Sequence, residues 1–160
     1  MSEHRSIVSW TRDGAAFTDL RYSRRHEWRF DGGAVVRASA SPHVVPPPCS
    51  DPAAVDPEEA FVAAIASCHM LTFLWLAAKR GYVVDAYSDD AVGRMAPNAA
   101  GREAVARVIL RPVIRFAGDR RPTGDELRRL HHEAHEQCFI ANSVTTEIAV
   151  EPPASGADPA

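Results

Sequence analysis

The apolar positions repeat with two different periods, and the change of period marks the elements. Residues 5–10, RSIVSW, alternate moderately and predict a first strand. Residues 20–30, LRYSRRHEWRF, alternate well: Leu20, Tyr22, Arg24, His26, Trp28 and Phe30 fall on one face, and Ser23, Arg25, Glu27 and Arg29 on the other. DGG at 31–33 is a hairpin signal, and AVVRASAS returns as a third strand. Residues 42–57 then carry six prolines, which excludes helix and central strand and predicts a long ordered loop.

The pattern changes at residue 56. Asp56, Pro57 and Glu59 make an N-cap, a first-turn proline and a D-x-x-E capping box. From Ala60 to Ala78 there are 19 residues without formal charge, followed by Lys79, Arg80 and Gly81, which complement and close a helix C-terminus. The spacing predicts a helix over about 57–80. Its length reaches that of a membrane span, but His69, Ser67, Thr72 and many alanines argue against lipid. The favoured reading is a helix buried all round, covered partly by a second helix or a second subunit. Two further long strands are predicted over 83–96 and 102–118, with a loop at 97–101. A second helix follows over 121–139, opened by a Thr123–Glu126 capping box, with Leu127, Leu130, Ala134 and Cys138 on one face. VTTEIAVEP is a last strand, and residues 153–160 read as a disordered tail. The expected order is β-β-β-α-β-β-α-β, an α+β fold with antiparallel sheets, in a single domain over 1–152.

Totals narrow the function. A net charge of −3 provides no basic field for nucleic acid. The opening MSEHRSIVSW has no apolar core of signal-peptide length. Three cysteines, Cys49, Cys68 and Cys138, with no secretion signal, argue for a reducing, cytoplasmic setting. Cys49 lies in the Pro-rich loop and reads as incidental.

Two chemistries fit the remaining residues. His131, His135 and Cys138 share a helical face, so three potential metal ligands are aligned, without a fourth that the sequence identifies. Alternatively, two thiols suffice for peroxide reduction. One thiolate becomes a sulfenic acid and a second thiol condenses with it. That chemistry needs a cation to hold the thiolate and a carboxylate to hold the cation. Cysteine, cysteine, arginine and glutamate are all present at candidate positions. A buried cysteine is otherwise most often a small packing residue, and a histidine such as His69 a partly exposed or hydrogen-bonded core group.

DPEEAFVAAIASC and AHEQC, about 70 residues apart, resemble the two motifs of the OsmC/Ohr (osmotically inducible protein C and organic hydroperoxide resistance) family. The resemblance implies a peroxidatic Cys68, a resolving Cys138 and an active-site Glu58. It implies a family arginine from YSRRHEW, for which Arg24 is preferred because it shares the apolar face, with Arg25 second. It also implies an intertwined homodimer with two long helices back to back. The implied activity is reduction of organic hydroperoxides, regenerated by a lipoyl-type dithiol or a small thiol, without metal or haem cofactor. Phe61, Ile65 and Trp75, on the face of Cys68, would favour alkyl or fatty-acid hydroperoxides. The alternative is a non-peroxidase binding or metal protein of the same fold using His131, His135 and Cys138. Two departures stand out: Phe139 follows the second cysteine, where proline is common, and His69 follows the first, where an apolar residue is usual. Glu58 and Cys68 are ten residues apart, roughly 15 Å of helical rise, so an arginine can bridge only part of that span.

Overall fold

The structure, a computed structural model, describes residues 2–151; the tail expected at 153–160 lies outside them. Where the sequence suggests one domain over 1–152, packing gathers the chain into two units, Met1–Ala60 and Phe61–Ala160.

In the first unit, β1 (Ser6–Ser9), β2 (His26–Phe30) and β3 (Val35–Ala38) form an antiparallel sheet in the order β1-β2-β3. The 31–33 turn is as expected: Gly33 takes φ 87°, a value open to glycine without strain. β2 is shorter than its alternation suggests. Residues 20–25 leave the ladder because Tyr22 is drawn into an aromatic cluster instead. Its ring stacks on Phe17 at 4.6 Å and meets Trp10 edge-on at 5.3 Å. Trp10 Nε1 also donates to Ser23 O at 2.7 Å. Leu20 turns the chain there at φ 62°, a conformation that costs on the order of 1 kcal/mol for a side-chain-bearing residue.

Asp51 organises the Pro-rich loop. Its carboxylate accepts from Ala53 N at 3.0 Å, Arg25 Nε at 3.0 Å and Arg37 Nη2 at 3.2 Å, while its own N–H donates to Ser39 Oγ at 2.9 Å. The Ala53 N–H and the two guanidinium groups hold its pKa below the usual carboxylate range. Cys49 is half-buried rather than free in the loop. Its carbonyl accepts from Arg24 N at 2.8 Å and its thiol donates to Arg21 O at 3.3 Å, so it ties the loop to the 20–25 segment.

Helix α1 (Pro57–Lys79) begins at the expected capping box: Glu59 N donates to Asp56 Oδ1 at 2.7 Å, and Asp56 N to Glu59 Oε2 at 3.1 Å. It ends in a Schellman motif, with Gly81 at φ 76°, Gly81 N donating to Ala78 O and Tyr82 N to Ala77 O. Among the described residues it is the one helix long and apolar enough to cross a membrane.

In the second unit the two long predicted strands each break in two. β4 (Val83–Asp89) and β7 (Pro112–Ala117) pair with each other, and β5 (Val92–Pro97) pairs with β6 (Glu103–Leu110). The breaks have identifiable causes. Arg111 N leaves the ladder to donate to Asp89 Oδ1 at 2.6 Å, and Pro112 has no N–H to continue it. Helix α2 (Gly124–Gln137), a 3-10 turn (Ala141–Ser143) and β8 (Glu147–Val150) complete the order. β8 joins β6 in parallel, so this three-stranded sheet is mixed and not wholly antiparallel. The α+β class with two helices holds; the strand count and the parallel pair correct the expected order.

α1 serves two cores. Ile65 packs with Val108 and Leu110, and Phe61 and Val62 support them. Gly93 admits this approach, since a Cβ there would lie 2.6 Å from Val62 Cγ2. Further along, Phe73, Leu76 and Ala77 pack with Tyr82, Leu130 and Ala134. Full burial of a side chain such as Phe73 or Leu130 contributes roughly 1.5–3 kcal/mol. The expectation of all-round burial is not met within one chain. Leu71 is 60% and Trp75 53% exposed, so one side of α1 stays uncovered.

Candidate active site

Cys68 and Cys138, 70 residues apart in sequence, come together within the second unit. Cys68 sits at mid-α1, half-buried, with its carbonyl accepting from Thr72 Oγ1 at 2.9 Å. Cys138 is the C-cap of α2 and is sealed at 1% exposure. The segment that follows pins it. Its sulfur accepts from Ala141 N at 3.4 Å, and its carbonyl accepts from Asn142 N and Nδ2, each at 3.0 Å. Both thiols are free. Burial, together with a hydrogen-bonding interaction with Cys68, pushes the Cys138 thiol up to about 11, against the opposing Ala141 N–H. At neutral pH Cys138 is therefore a protonated, buried thiol beside a more accessible one.

His69 faces away from Cys68, as the helical turn requires, and into the protein. It is 1% exposed, and its Nε2 lies 3.1 Å from Nδ1 of His131 on α2. The two rings are nearly parallel, at 7°, and His131 stacks on Phe73 at 4.5 Å. Burial lowers each histidine to about 4, and for His69 the neighbouring imidazoles of His131 and His135 add to the effect. Both are neutral at pH 7. No local sequence signal could have found this pair, because its members are 62 residues apart.

The metal reading of His131, His135 and Cys138 is corrected. His131 Nδ1 is committed to His69, and the Cys138 thiol is engaged with Cys68 and Ala141. Among the described residues no group of three His, Cys, Asp or Glu side chains is arranged to hold a metal ion.

Arg24 and Glu58 belong to the first unit. The Arg24 guanidinium lies 3.8 Å over the Tyr22 ring, and its Nη1 donates to Leu20 O at 2.7 Å and to Tyr22 O. Its carbonyl accepts from His26 Nδ1 at 2.8 Å, and His26 Nε2 accepts from Trp28 Nε1 at 2.9 Å. Arg24 is thus fixed in backbone and side chain. It lines a mostly apolar cavity of about 430 Å³ with Trp10, Phe17, Tyr22, His26 and Pro57. Arg25 lies elsewhere, exposed and paired with Asp51. Glu58 is half-buried, and among the described residues no ion pair joins it to either arginine. The sequence reading missed Asp51, which pairs with Arg25 and Arg37; its position in the loop, 26 residues from Arg25, left no local sign of this.

The apolar face expected to receive substrate is redistributed. Ile65 is wholly buried in the core. Phe61 packs against it. Trp75 points outward beneath Lys79 Nζ at 4.8 Å.

Residues 50–152 match a family model described as OsmC-like protein. No protein in the curated set matches the chain by sequence. Among solved structures, an OsmC-like protein of unknown function from Vibrio cholerae is 57% identical, with a TM-score of 0.93 over 95% of this chain and 99% of that one. An OsmC-like protein from Mycoplasma pneumoniae is 13% identical, with a TM-score of 0.69 over 94% and 96%. An organic hydroperoxide resistance protein from Elizabethkingia anophelis is 15% identical, with a TM-score of 0.68 over 95% and 94%.

Proposed function

The chain belongs to the OsmC-like family, and from that premise we propose that it reduces organic hydroperoxides with its own two thiols. One observation carries the reading: a half-exposed Cys68 beside a sealed, protonated Cys138. The Cys68 thiolate attacks the peroxide oxygen that carries the proton. The O–O bond breaks, the alkoxide leaves and takes up a proton as the alcohol, and Cys68 becomes a sulfenic acid. The Cys138 thiol then condenses with it, releasing water and forming a disulfide. A dithiol of the lipoyl type, or two small thiols, returns both cysteines to the reduced state. The family resemblance would give Arg24 the part of favouring the thiolate and Glu58 that of holding the arginine; among the described residues no ion pair joins the two. The expected substrate is an alkyl or fatty-acid hydroperoxide rather than hydrogen peroxide.

Intact mass tests this directly. One equivalent of an organic hydroperoxide should remove two hydrogens, mapped to Cys68 and Cys138. Cys138→Ser should instead stop at a sulfenic acid that a 1,3-diketone labels. An unchanged mass for the wild-type chain sinks the proposal.

The reading includes a homodimer in the cytoplasm. Family members are commonly dimeric, and the uncovered side of α1, with Leu71 and Trp75, is an apolar surface that a second copy would cover. A Leu71→Glu/Trp75→Glu double variant should halve the mass measured by light scattering. If the wild-type chain is already monomeric at micromolar concentration, the dimer is excluded.

A further inference from the structure

We propose that the His69–His131 hydrogen bond is a latch between α1 and α2 that sets the approach of Cys68 to Cys138, so that both imidazoles are positioning residues for disulfide formation. His69 follows Cys68 directly on α1. His131 precedes Cys138 by seven residues on α2, roughly 10 Å of helical rise. The bond therefore joins the two helices that carry the two thiols, within the same packed unit.

The pair is polar where an apolar pair would serve stability at least as well. A buried hydrogen bond between neutral groups contributes only about 0.5–1.5 kcal/mol net, while both imidazoles are desolvated. What it adds is direction. Apolar side chains tolerate sliding and rotation, but a 3.1 Å bond between two stacked rings, one of them also stacked on Phe73, holds one register. Disulfide formation is sensitive to register, because Cβ atoms must come within about 3.5–4.5 Å at a restricted dihedral angle.

The tautomers follow from the pattern of partners. His69 Nδ1 is buried and makes no hydrogen bond. An orphaned buried N–H costs more than an orphaned lone pair, so the proton of His69 resides on Nε2 and is donated to His131 Nδ1. Cys138 is held at its own end by Ala141 and Asn142. With the resolving thiol pinned there, α1 is the element whose placement decides the sulfur–sulfur approach. The step affected is the condensation of the Cys68 sulfenic acid with the Cys138 thiol, which forms the S–S bond and releases water. It needs no further oxidant.

The latch rests on the two-thiol reading but is tested without hydroperoxide. The full-length chain is equilibrated in dithiothreitol redox buffers, and the Cys68–Cys138 disulfide is quantified by alkylation and mass. His131→Phe keeps the stack on Phe73 and loses the acceptor. It is expected to lower the disulfide equilibrium constant at least about tenfold, about 30 mV for this two-electron couple. His131→Asn, whose Oδ1 stands where Nδ1 stood, and His69→Gln, whose amide stands where Nε2 stood, should stay within about threefold of wild type. Should His131→Phe fail to fold, His69→Asn withdraws the donor while keeping the site polar, and the same tenfold loss is expected. A folded His131→Phe or His69→Asn chain with the wild-type constant overturns the latch. A tenfold loss in a chain that hydroperoxide does not oxidise overturns the peroxidase reading alone.

Discussion

Cys68→Ser is expected to lower hydroperoxide consumption, measured with a dithiol reductant, by at least about a thousandfold, or about 4 kcal/mol of barrier. A serine hydroxyl does not ionise at neutral pH and is a poor nucleophile toward the O–O bond, so the substitution removes the reacting group itself. The remaining thiols do not replace it. Cys138 is sealed and has its pKa pushed up to about 11, which leaves roughly one molecule in ten thousand as thiolate at pH 7. Cys49 is half-buried in the first unit, its thiol engaged with the Arg21 carbonyl. Activity within tenfold of wild type in Cys68→Ser would put the peroxide chemistry elsewhere and remove the basis for the two-thiol mechanism.

What could be read from the sequence was what local chemistry decides. Both capping boxes, Asp56–Glu59 and Thr123–Glu126, form as their spacing requires, because a cap involves only the residues that make it. Gly81 closes α1 for the same reason. The buried face of α2 was equally legible, since Leu130, Ala134 and Cys138 recur at helical spacing. The misreadings all depend on distant partners. The alternation at 20–25 was real, but Trp10 and Phe17 captured Tyr22 and turned the chain away from the ladder. The break at Arg111 depends on a carboxylate 22 residues away. The parallel pairing of β8 with β6 has no sequence signature of its own. In the candidate site, the two motifs singled out Cys68 and Cys138, which the fold brings together, yet nothing in either motif indicated that His69 would meet His131. The three histidines before Cys138 suggested a metal face by their spacing, whereas burial and a partner on the other helix gave His131 a different use.

Acidification from pH 7 to pH 4 is expected to destabilise the chain strongly, and the imidazole pair is the cause. In the unfolded chain each histidine titrates near 6.5, while in the folded chain burial lowers both His69 and His131 to about 4. Between these values the unfolded state binds protons that the folded state does not. Stability therefore rises with pH through this window and is lost as pH falls from 6.5 toward 4. The shift corresponds to roughly 3 kcal/mol for one histidine, and to less than twice that for the two, because they interact. Against a typical total of about 5–15 kcal/mol this is a large share. Other groups act in separate windows. Asp51, Glu126 and Glu133 have lowered pKa values, so their contributions are lost from the ordinary carboxylate range downward, mostly below the histidine window. Asp89 is raised by burial and works weakly in the opposite direction. Urea unfolding at pH 7, 6, 5 and 4 should show the loss. In the His69→Gln/His131→Asn double variant, which replaces both imidazoles with amides that do not titrate, the curve should flatten between pH 6.5 and 4.5. An equally steep wild-type and variant profile would assign the acid sensitivity to other groups. A flat wild-type profile would mean that the folded chain accepts protons on this pair, which is incompatible with two neutral imidazoles sharing one buried hydrogen bond.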